Sequence, residues 1–288
     1  MNKAILILLI FTLIFSCKTK EEQQSPQETA IKIKAMTYNI RLNTPSDGEN
    51  AWPYRKEALS SQVLIMAPDV LGVQEAVPGQ MQDLKLALAD YNFIGHGRDG
   101  DDKGEFSAIF YNKNNLKVIE HSTFWLSETP IIISKGWDAA YPRICTYGLF
   151  SSKENDKKFW VFNTHLDHVG EEAKKQGMNL ILNTISEKNK DNYPVFLMGD
   201  FNVEPNSEVV SAISKTMKDT RSEATVVFGS DGTFNGFKYD EPVNRRIDYI
   251  FVSPAAQIKV NKYAVLSSLI DFKYPSDHFP VFTEVVLK

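Results

Sequence analysis

The stretch that most constrains this chain is Val195-Phe196-Leu197-Met198-Gly199-Asp200-Phe201-Asn202. Four apolar residues bounded by Pro194 and Gly199 read as a buried strand. Period-two geometry puts Asp200 and Asn202 on one face, just where that strand stops. An Asx turn is the competing reading of such an end. Other strand-like runs finish in the same way: Met36-Thr37-Tyr38-Asn39, Val70 to Gln74-Glu75, Val161-Phe162-Asn163-Thr164-His165, and Arg246-Ile247-Asp248-Tyr249-Ile250-Phe251. The C-terminal Ser276-Asp277-His278-Phe279-Pro280-Val281 adds a sixth polar cluster. One polar strand end is a turn; six of them point to a single rim.

The first residues read as a targeting segment. Lys3 supplies a positive start, and the apolar run from Ala4 to Phe15 is shorter than the ~20 residues a spanning helix needs. Its end, Ile14-Phe15-Ser16-Cys17, is similar to a bacterial lipobox. Residues 1–17 are therefore expected to be a lipoprotein signal with lipid on Cys17, and the polar residues 18–30 a flexible tether. The alternative is an ordinary signal with a chance cysteine. The expected location is outside the cytoplasm, anchored by lipid to a bacterial membrane. With Cys17 lipidated, Cys145 has no partner for an intrachain disulfide. Within Ile144-Cys145-Thr146-Tyr147 it reads as a small core residue.

At 288 residues, 43% hydrophobic and 24% charged, the chain is ordinary globular material, which excludes collagen, coiled coil and wholesale disorder. A formal charge of -4 argues against a broad basic surface for nucleic acid, so a polyanionic substrate would be held locally, by a metal and a few cations. From Ile31 strands alternate with helices without repeat or linker, so residues 31–288 are expected to form one catalytic domain. The pattern predicts strands over Ile31–Ile40, Val70–Glu75, Phe106–Tyr111, Lys117–His121, Arg143–Phe150 and Lys158–His165. It predicts helices over Tyr54–Met66, Pro78–Ala89 and Glu171–Lys188, then strands around Asp200, Asp248 and Asp277. That mixed order does not fit a strict parallel repeat. It predicts an α/β (α+β) fold of two packed, mostly antiparallel sheets with helices on their outer faces.

In this order the motifs resemble the endonuclease/exonuclease/phosphatase superfamily, the deoxyribonuclease I-like metal-dependent phosphoesterases. The resemblance runs from Ile31 to Leu287 and implies a four-layer sandwich that hydrolyses a phosphate ester with Mg2+ or Mn2+. Such ions suit hard oxygen ligands with water positions left open. The resemblance implies Glu75 as principal metal ligand, with Asn39 and Asp277 beside it. It implies His278 and His165 on the scissile phosphate or its water, Asp200 as the water-activating base and Asn202 as its orienting neighbour. Asp248 is the residue placed to pair with His278, fixing its tautomer and raising its pKa. Arg143 is a candidate phosphate clamp, an ordinary ion pair being the equal alternative. Asp167 shares the face of His165 by alternation and joins Arg143 as a candidate substrate-binding residue, whereas His168 could cap the next helix.

Gly136-Trp137-Asp138 and Thr233-Phe234-Asn235-Gly236-Phe237 are aromatic loops that either shape the pocket or plug a core edge. Relatives are expected to carry histidine where Asn235 stands, so specificity does not carry over through that position. The motifs look closer to bacterial members and deadenylase-like exonucleases than to abasic-site repair enzymes. The expected reaction is phosphodiester hydrolysis of the nuclease type, possible in a 3'-5' exonuclease mode. The alternatives are a phosphomonoesterase, a phospholipid or sphingomyelin phosphodiesterase, or a non-catalytic surface binding lipoprotein. The expected partners are a phosphate-ester substrate (nucleic acid, nucleotide or lipid head group) and the anchoring membrane; the chain is expected to be a monomer without a protein partner.

Overall fold

The computed structural model describes residues 30–254 and 258–288, so the signal and tether expected at the N-terminus lie outside the described residues apart from Ala30. In chain order the first half comprises β1 (Ile31–Asn39), α1 (Trp52–Met66), β2 (Val70–Gln74), α2 (Pro78–Ala87), β3 (Tyr91–Ile94), β4 (Ile109–Asn112), β5 (Leu116–Trp125) and β6 (Ile144–Ser152). The second half comprises β7 (Lys158–His165), α3 (Glu171–Lys188), β8 (Val195–Asp200), α4 (Glu208–Ser214), β9 (Lys218–Asp219), α5 (Thr220–Glu223), β10 (Val226–Phe228), β11 (Asp248–Val252), β12 (Ile258–Val265) and β13 (Val281–Leu287).

One sheet runs β10-β12-β13-β1-β2-β4-β3 and the other β5-β6-β7-β8-β11-β9. Among the described residues the parallel neighbours are β1 with β2, β10 with β12, and β7 with β8; the other pairs are antiparallel. The inner faces meet in a central apolar core that includes Ile33, Phe150, Phe159, Phe196, Ile250 and Val285. A second core lies under α3 and α4, and a third under α1 and α2. Four layers result because each sheet is apolar on both faces and has to bury both.

The helices begin and end where local chemistry predicts. Pro53 occupies the first turn of α1, where its missing N–H costs nothing, and Ala67 ends the helix in the left-handed region. In α3, Glu171 and Glu172 sit at the positive end and Lys188 at the negative end. Asp138 supplies the cap from another loop, accepting from the Ala173 N–H at 2.7 Å. This gives part of the Gly136-Trp137-Asp138 loop a structural role.

Two expected strands differ. The run from Phe106 to Tyr111 forms strand only from Ile109, because Phe106 makes isolated bridges to Ala76 and Gly97 instead. The last strand starts at Val281, so Asp277 and His278 lie in the preceding loop. Cys145 is buried and free, and burial pushes its thiol up, as suits a core residue.

A polar staple joins the two sheets beneath the rim. Asn163 of β7 donates to the carbonyls of Val73 (3.0 Å) and Ala108 (2.9 Å) and accepts from Gln74 Nε2 at 2.7 Å. Gly72 makes room for it, since a Cβ there would lie 2.6 Å from Asn163 Oδ1. Asn163→Ala leaves these buried groups unpaired and is expected to cost about 2–4 kcal/mol. Urea denaturation reads this directly; an unchanged midpoint would remove the staple from the account.

Candidate active site

The topology gathers the rim. β1 and β2 run parallel, as do β7 and β8, so Asn39, Glu75, His165 and Asp200 all sit at C-terminal ends. β11 and β13 are antiparallel to β8 and β1, so Asp248 and the loop carrying Asp277 and His278 arrive at the same edge from their N-terminal side. Direct register places Asp200 opposite both His165 and Asp248. Loops after strands close a cavity of about 660 Å³ lined by Glu75, His165, Asp200, Asn202, Asp277 and His278 among others.

Two of these residues hold backbone conformations that side chains disfavour: Glu75 at φ 63° and Asn202 at φ 50°. Each is held by its surroundings. The Glu75 carboxylate accepts from Asn39 Nδ2 (3.0 Å) and from the Leu42 N–H (3.0 Å). The Asn202 N–H donates to Asp200 Oδ1 at 2.9 Å. Gly199, at φ 144°, is obligatory, because a Cβ would meet the Thr164 carbonyl oxygen at 1.9 Å.

His278 Nδ1 lies 2.9 Å from Asp248 Oδ2, which is the pairing expected from the sequence, and its Nε2 lies 3.8 Å from Asp200 Oδ2. Burial opposes a charge on this ring, but Asp248 and Asp200 outweigh it and hold the imidazole well above its ordinary value. The Thr233-Phe234-Asn235 loop braces the dyad. Thr233 Oγ1 accepts from the Asp248 N–H at 3.1 Å, Asn235 Nδ2 donates to the Ser276 carbonyl at 3.1 Å, and Phe234 packs edge-on against the His278 ring.

Asp200 is almost fully buried. Burial, and then the neighbouring Asp248, push its carboxyl up to about 7, against the pull of His278. Its Oδ2 accepts from Asn39 Nδ2 at 2.9 Å. Asn202 Nδ2 lies 3.0 Å from His165 Nε2 and donates to the Leu166 carbonyl at 3.1 Å. His165 stays neutral, its pKa held well below the usual value by burial first and then by Arg143 and His278. A neutral ring that accepts from Asn202 at Nε2 carries its proton on Nδ1.

The geometry adds detail to three of the expected roles. The Asn39 amide nitrogen bridges Glu75 and Asp200, and its Oδ1 accepts from the Arg41 N–H at 3.0 Å, which leaves one carbonyl lone pair for a ligand. Asp167 does not line the cavity. It accepts from the N–H groups of Val169 (3.0 Å), Gly170 (2.8 Å) and Tyr141 (3.3 Å) and from Arg143 Nε (3.3 Å), which exhausts its lone pairs. Burial raises its carboxyl, yet these donors win and hold it below the usual carboxylate range. Arg143 does line the cavity, but as the partner of Asp167.

The cavity also includes residues that carry little signal in the sequence. Arg41, Glu105 and Tyr141 line it, and only the position of Glu105 just before an apolar strand run was there to be noticed.

The donor set suits a divalent cation. Glu75 and Asp277 both line the cavity. Burial first, and then the charge of Glu75, raise the Asp277 carboxyl, although His278 pulls it down. Among the described residues the guanidinium contact of Asp277 is a long one, Arg41 Nε at 3.9 Å. Two under-neutralised carboxylates on one wall fit a hard ion. Asp200, Asp248 and His278 also cluster, with ligand atoms within 4.8 Å of one another. There one ring nitrogen is taken by Asp248, while His278 Nε2 stands 3.8 Å from Asp200, beyond hydrogen-bond reach.

Stacked mixed sheets whose acidic and imidazole-bearing strand ends share one cavity are the architecture of deoxyribonuclease I-like phosphoester hydrolases. The chain belongs to the Endonuclease/Exonuclease/phosphatase family, whose model matches residues 36–278. Members hydrolyse phosphate esters and depend on a divalent metal.

Among solved structures, the chain is similar to an endonuclease/exonuclease/phosphatase family protein from Bacteroides thetaiotaomicron (37% identical, TM-score 0.87, covering 91% of this chain and 97% of that one). It is also similar to a mannosyl-6-phosphatase from Bacteroides thetaiotaomicron (38% identical, TM-score 0.83, 88% and 99% covered). Among curated proteins it matches an uncharacterized protein of Acanthamoeba polyphaga mimivirus, 29% identical over 182 residues, with 60% of this chain and 68% of that protein covered. It matches nocturnin of Mus musculus at 23% identity, covering 85% of this chain but 63% of nocturnin, so it spans less than two thirds of that protein.

Proposed function

We propose that the chain removes the phosphate of a small monoester, by metal-assisted attack of water, from an alcohol that carries little charge of its own. One observation carries this reading: each guanidinium that lines the cavity already has a carboxylate. Arg41 pairs with Asp47 (2.8 Å), Arg98 with Glu105 (2.9 Å), Arg143 with Asp167 (3.3 Å) and Arg245 with Glu204 (3.8 Å). A nucleic-acid groove offers uncompensated cations to successive phosphates; this cavity does not. Its volume of about 660 Å³ also falls in the range of small-molecule sites, about 300–1,000 Å³. The likeness to a mannosyl-6-phosphatase at 38% identity points the same way.

Glu75 and Asp277 are the residues that would hold the metal, which when bound neutralises the phosphoryl oxygens and lowers the pKa of water. Asp200, with a pKa matched to neutral pH, takes the proton of the attacking water. His278, held protonated by Asp248, donates from Nε2 to a phosphoryl oxygen and stabilises the charge that develops there. Neutral His165 and Asn202 supply polar contacts beside Asp200, and Asn39 keeps Glu75 and Asp200 in register.

A second reading keeps the expected diester chemistry, and Phe234 with Arg245 favours it: the guanidinium lies 5.1 Å from the ring and is partly exposed, a place for a second substituent on phosphorus. A panel of sugar phosphates, aryl mono- and diesters, oligonucleotides and phospholipids, assayed with magnesium, manganese or chelator, separates the two. We expect kcat/KM on the best monoester to exceed that on any diester by about 100-fold. The reverse ranking overturns the monoester proposal.

The lipid anchor on Cys17 belongs to the same proposal. The described chain enters at Ile31, roughly 27 Å along β1 from the rim residue Asn39. Cys17→Ala is expected to shift the protein from the membrane to the soluble fraction. Continued membrane partitioning of unlipidated protein would count against the anchor.

A further inference from the structure

Part of the cavity lining is one packed column. The Arg98 guanidinium lies 4.9 Å from the centre of the Tyr141 ring, Tyr141 stacks on His168 (6.0 Å, 17°), and His168 Nδ1 lies 3.2 Å from Arg143 Nη2. The column is fastened from behind. Trp125 Nε1 donates to the Arg98 carbonyl at 2.7 Å, the Arg98 N–H donates to the Glu105 carbonyl at 3.0 Å, and the Tyr141 N–H donates to Asp167 at 3.3 Å. Such order is unusual for a tyrosine that is 50% exposed. Both of its fixed contacts are made by the ring, so the phenolic hydroxyl, which has no hydrogen bond among the described residues, is the group left to meet a ligand.

The charge of the column matters as much as its shape. Arg98 is neutralised by Glu105 and Arg143 by Asp167, so the wall offers donors and acceptors without drawing in a second anion. Sugar hydroxyls each donate and accept, and a neutral wall of guanidinium, phenol, imidazole and carboxylate matches them in both directions. A nucleobase would call for a flat aromatic surface not yet in use, and the Tyr141 ring is already engaged by Arg98 and His168.

We propose that the Arg98-Tyr141-His168 column is the subsite for the alcohol half of the substrate and recognises the hydroxyls of a phosphorylated sugar, Tyr141 through its phenolic hydroxyl. This rests on the monoesterase reading above and goes beyond it by assigning the residues that select the leaving group.

Tyr141→Phe removes the hydroxyl and keeps both ring contacts, and an unchanged melting temperature verifies its fold. The measured quantity is the ratio of kcat/KM on a hexose 6-phosphate to that on p-nitrophenyl phosphate. We expect that ratio to fall roughly 10-fold, through KM on the sugar substrate, as for loss of a hydrogen bond made equally in ground and transition states. Arg98→Met, which loosens the ring, is expected to lower the same ratio. Calorimetric titration with a hexose 6-sulfate and with inorganic sulfate, in magnesium, supplies a readout free of turnover, and Tyr141→Phe should weaken only the sugar ester. An unchanged ratio in both measurements, or equal losses on sugar and non-sugar ligands, overturns the subsite. If the wild type hydrolyses no phosphate ester, the monoesterase reading fails and the titration alone decides the subsite.

Discussion

Glu75→Gln is expected to lower kcat/KM by about three orders of magnitude, the scale of losing a catalytic electrostatic centre. Chelation of the wild type should abolish turnover, with recovery on adding magnesium or manganese. The side chain at position 75 reaches the cavity from a left-handed backbone and is fixed by Asn39 and the Leu42 N–H. A second readout separates metal loss from misfolding. Without metal, Glu75 and Asp277 repel, because the charge of Glu75 contributes to raising the Asp277 carboxyl. The metal-free variant should therefore melt no lower than the metal-free wild type. Divalent ions should raise the melting temperature of the wild type, by binding only the folded state, and leave the variant unmoved. Full activity in excess chelator would remove the metal from the mechanism.

The second large effect concerns the Asp248–His278 dyad. His278→Ala and Asp248→Asn are each expected to cut kcat by about 100- to 10,000-fold, the range for a positioned acid or electrostatic group. The double variant should be no worse than the more impaired single one, since the carboxylate acts through the ring it holds. The dyad also has a pH signature. His278 is held above its ordinary value in the folded protein, so the stability it contributes is fully present below the unfolded value of 6.5 and is lost as pH rises through the folded value. Asp248→Asn removes the charge responsible, and an NMR titration of the imidazole should move toward lower pH. Strictly additive losses, or an unmoved titration, would show that the two residues do not act as a unit.

The rate–pH profile follows from the same groups. A base works deprotonated, so turnover should rise as Asp200 loses its proton, near its metal-free value of about 7, and fall where His278 loses its own. A bound cation favours the carboxylate form and should move the rising limb to lower pH. The ascending limb is expected to vanish in Asp200→Asn together with most of the activity. A residual profile of wild-type shape would transfer the base role to another group.

Much of the fold was legible because its signals are local. The helix from Glu171 to Lys188 carries acids at its start and a lysine at its end, and the strand from Val195 is an apolar run that finishes in Gly199-Asp200, so both could be read within a few residues. The dyad was legible for a chemical reason: a lone buried imidazole needs an orienting carboxylate, and Asp248 heads a strand of the right kind. Less legible were the short elements of the C-terminal third, such as α4 and β10, which are too brief to carry a long periodic run.

What the sequence alone determined is the inventory of strand ends with their acids, amides and imidazoles, because turn chemistry and apolar periodicity are properties of neighbouring residues. What only the tertiary structure decided is which of those groups remain free for chemistry. Asn39 and Asp200 stand 161 residues apart, yet the packing of the two sheets joins them at 2.9 Å and makes the Asn39 amide nitrogen a bridge. Arg143 and Asp167 are brought together across β6 and β7, which supplies the ion pair that the sequence left as an equal alternative to a phosphate clamp. Coulomb and hydrogen-bond energies depend on distances that sheet register sets, and register is fixed by the whole packed core.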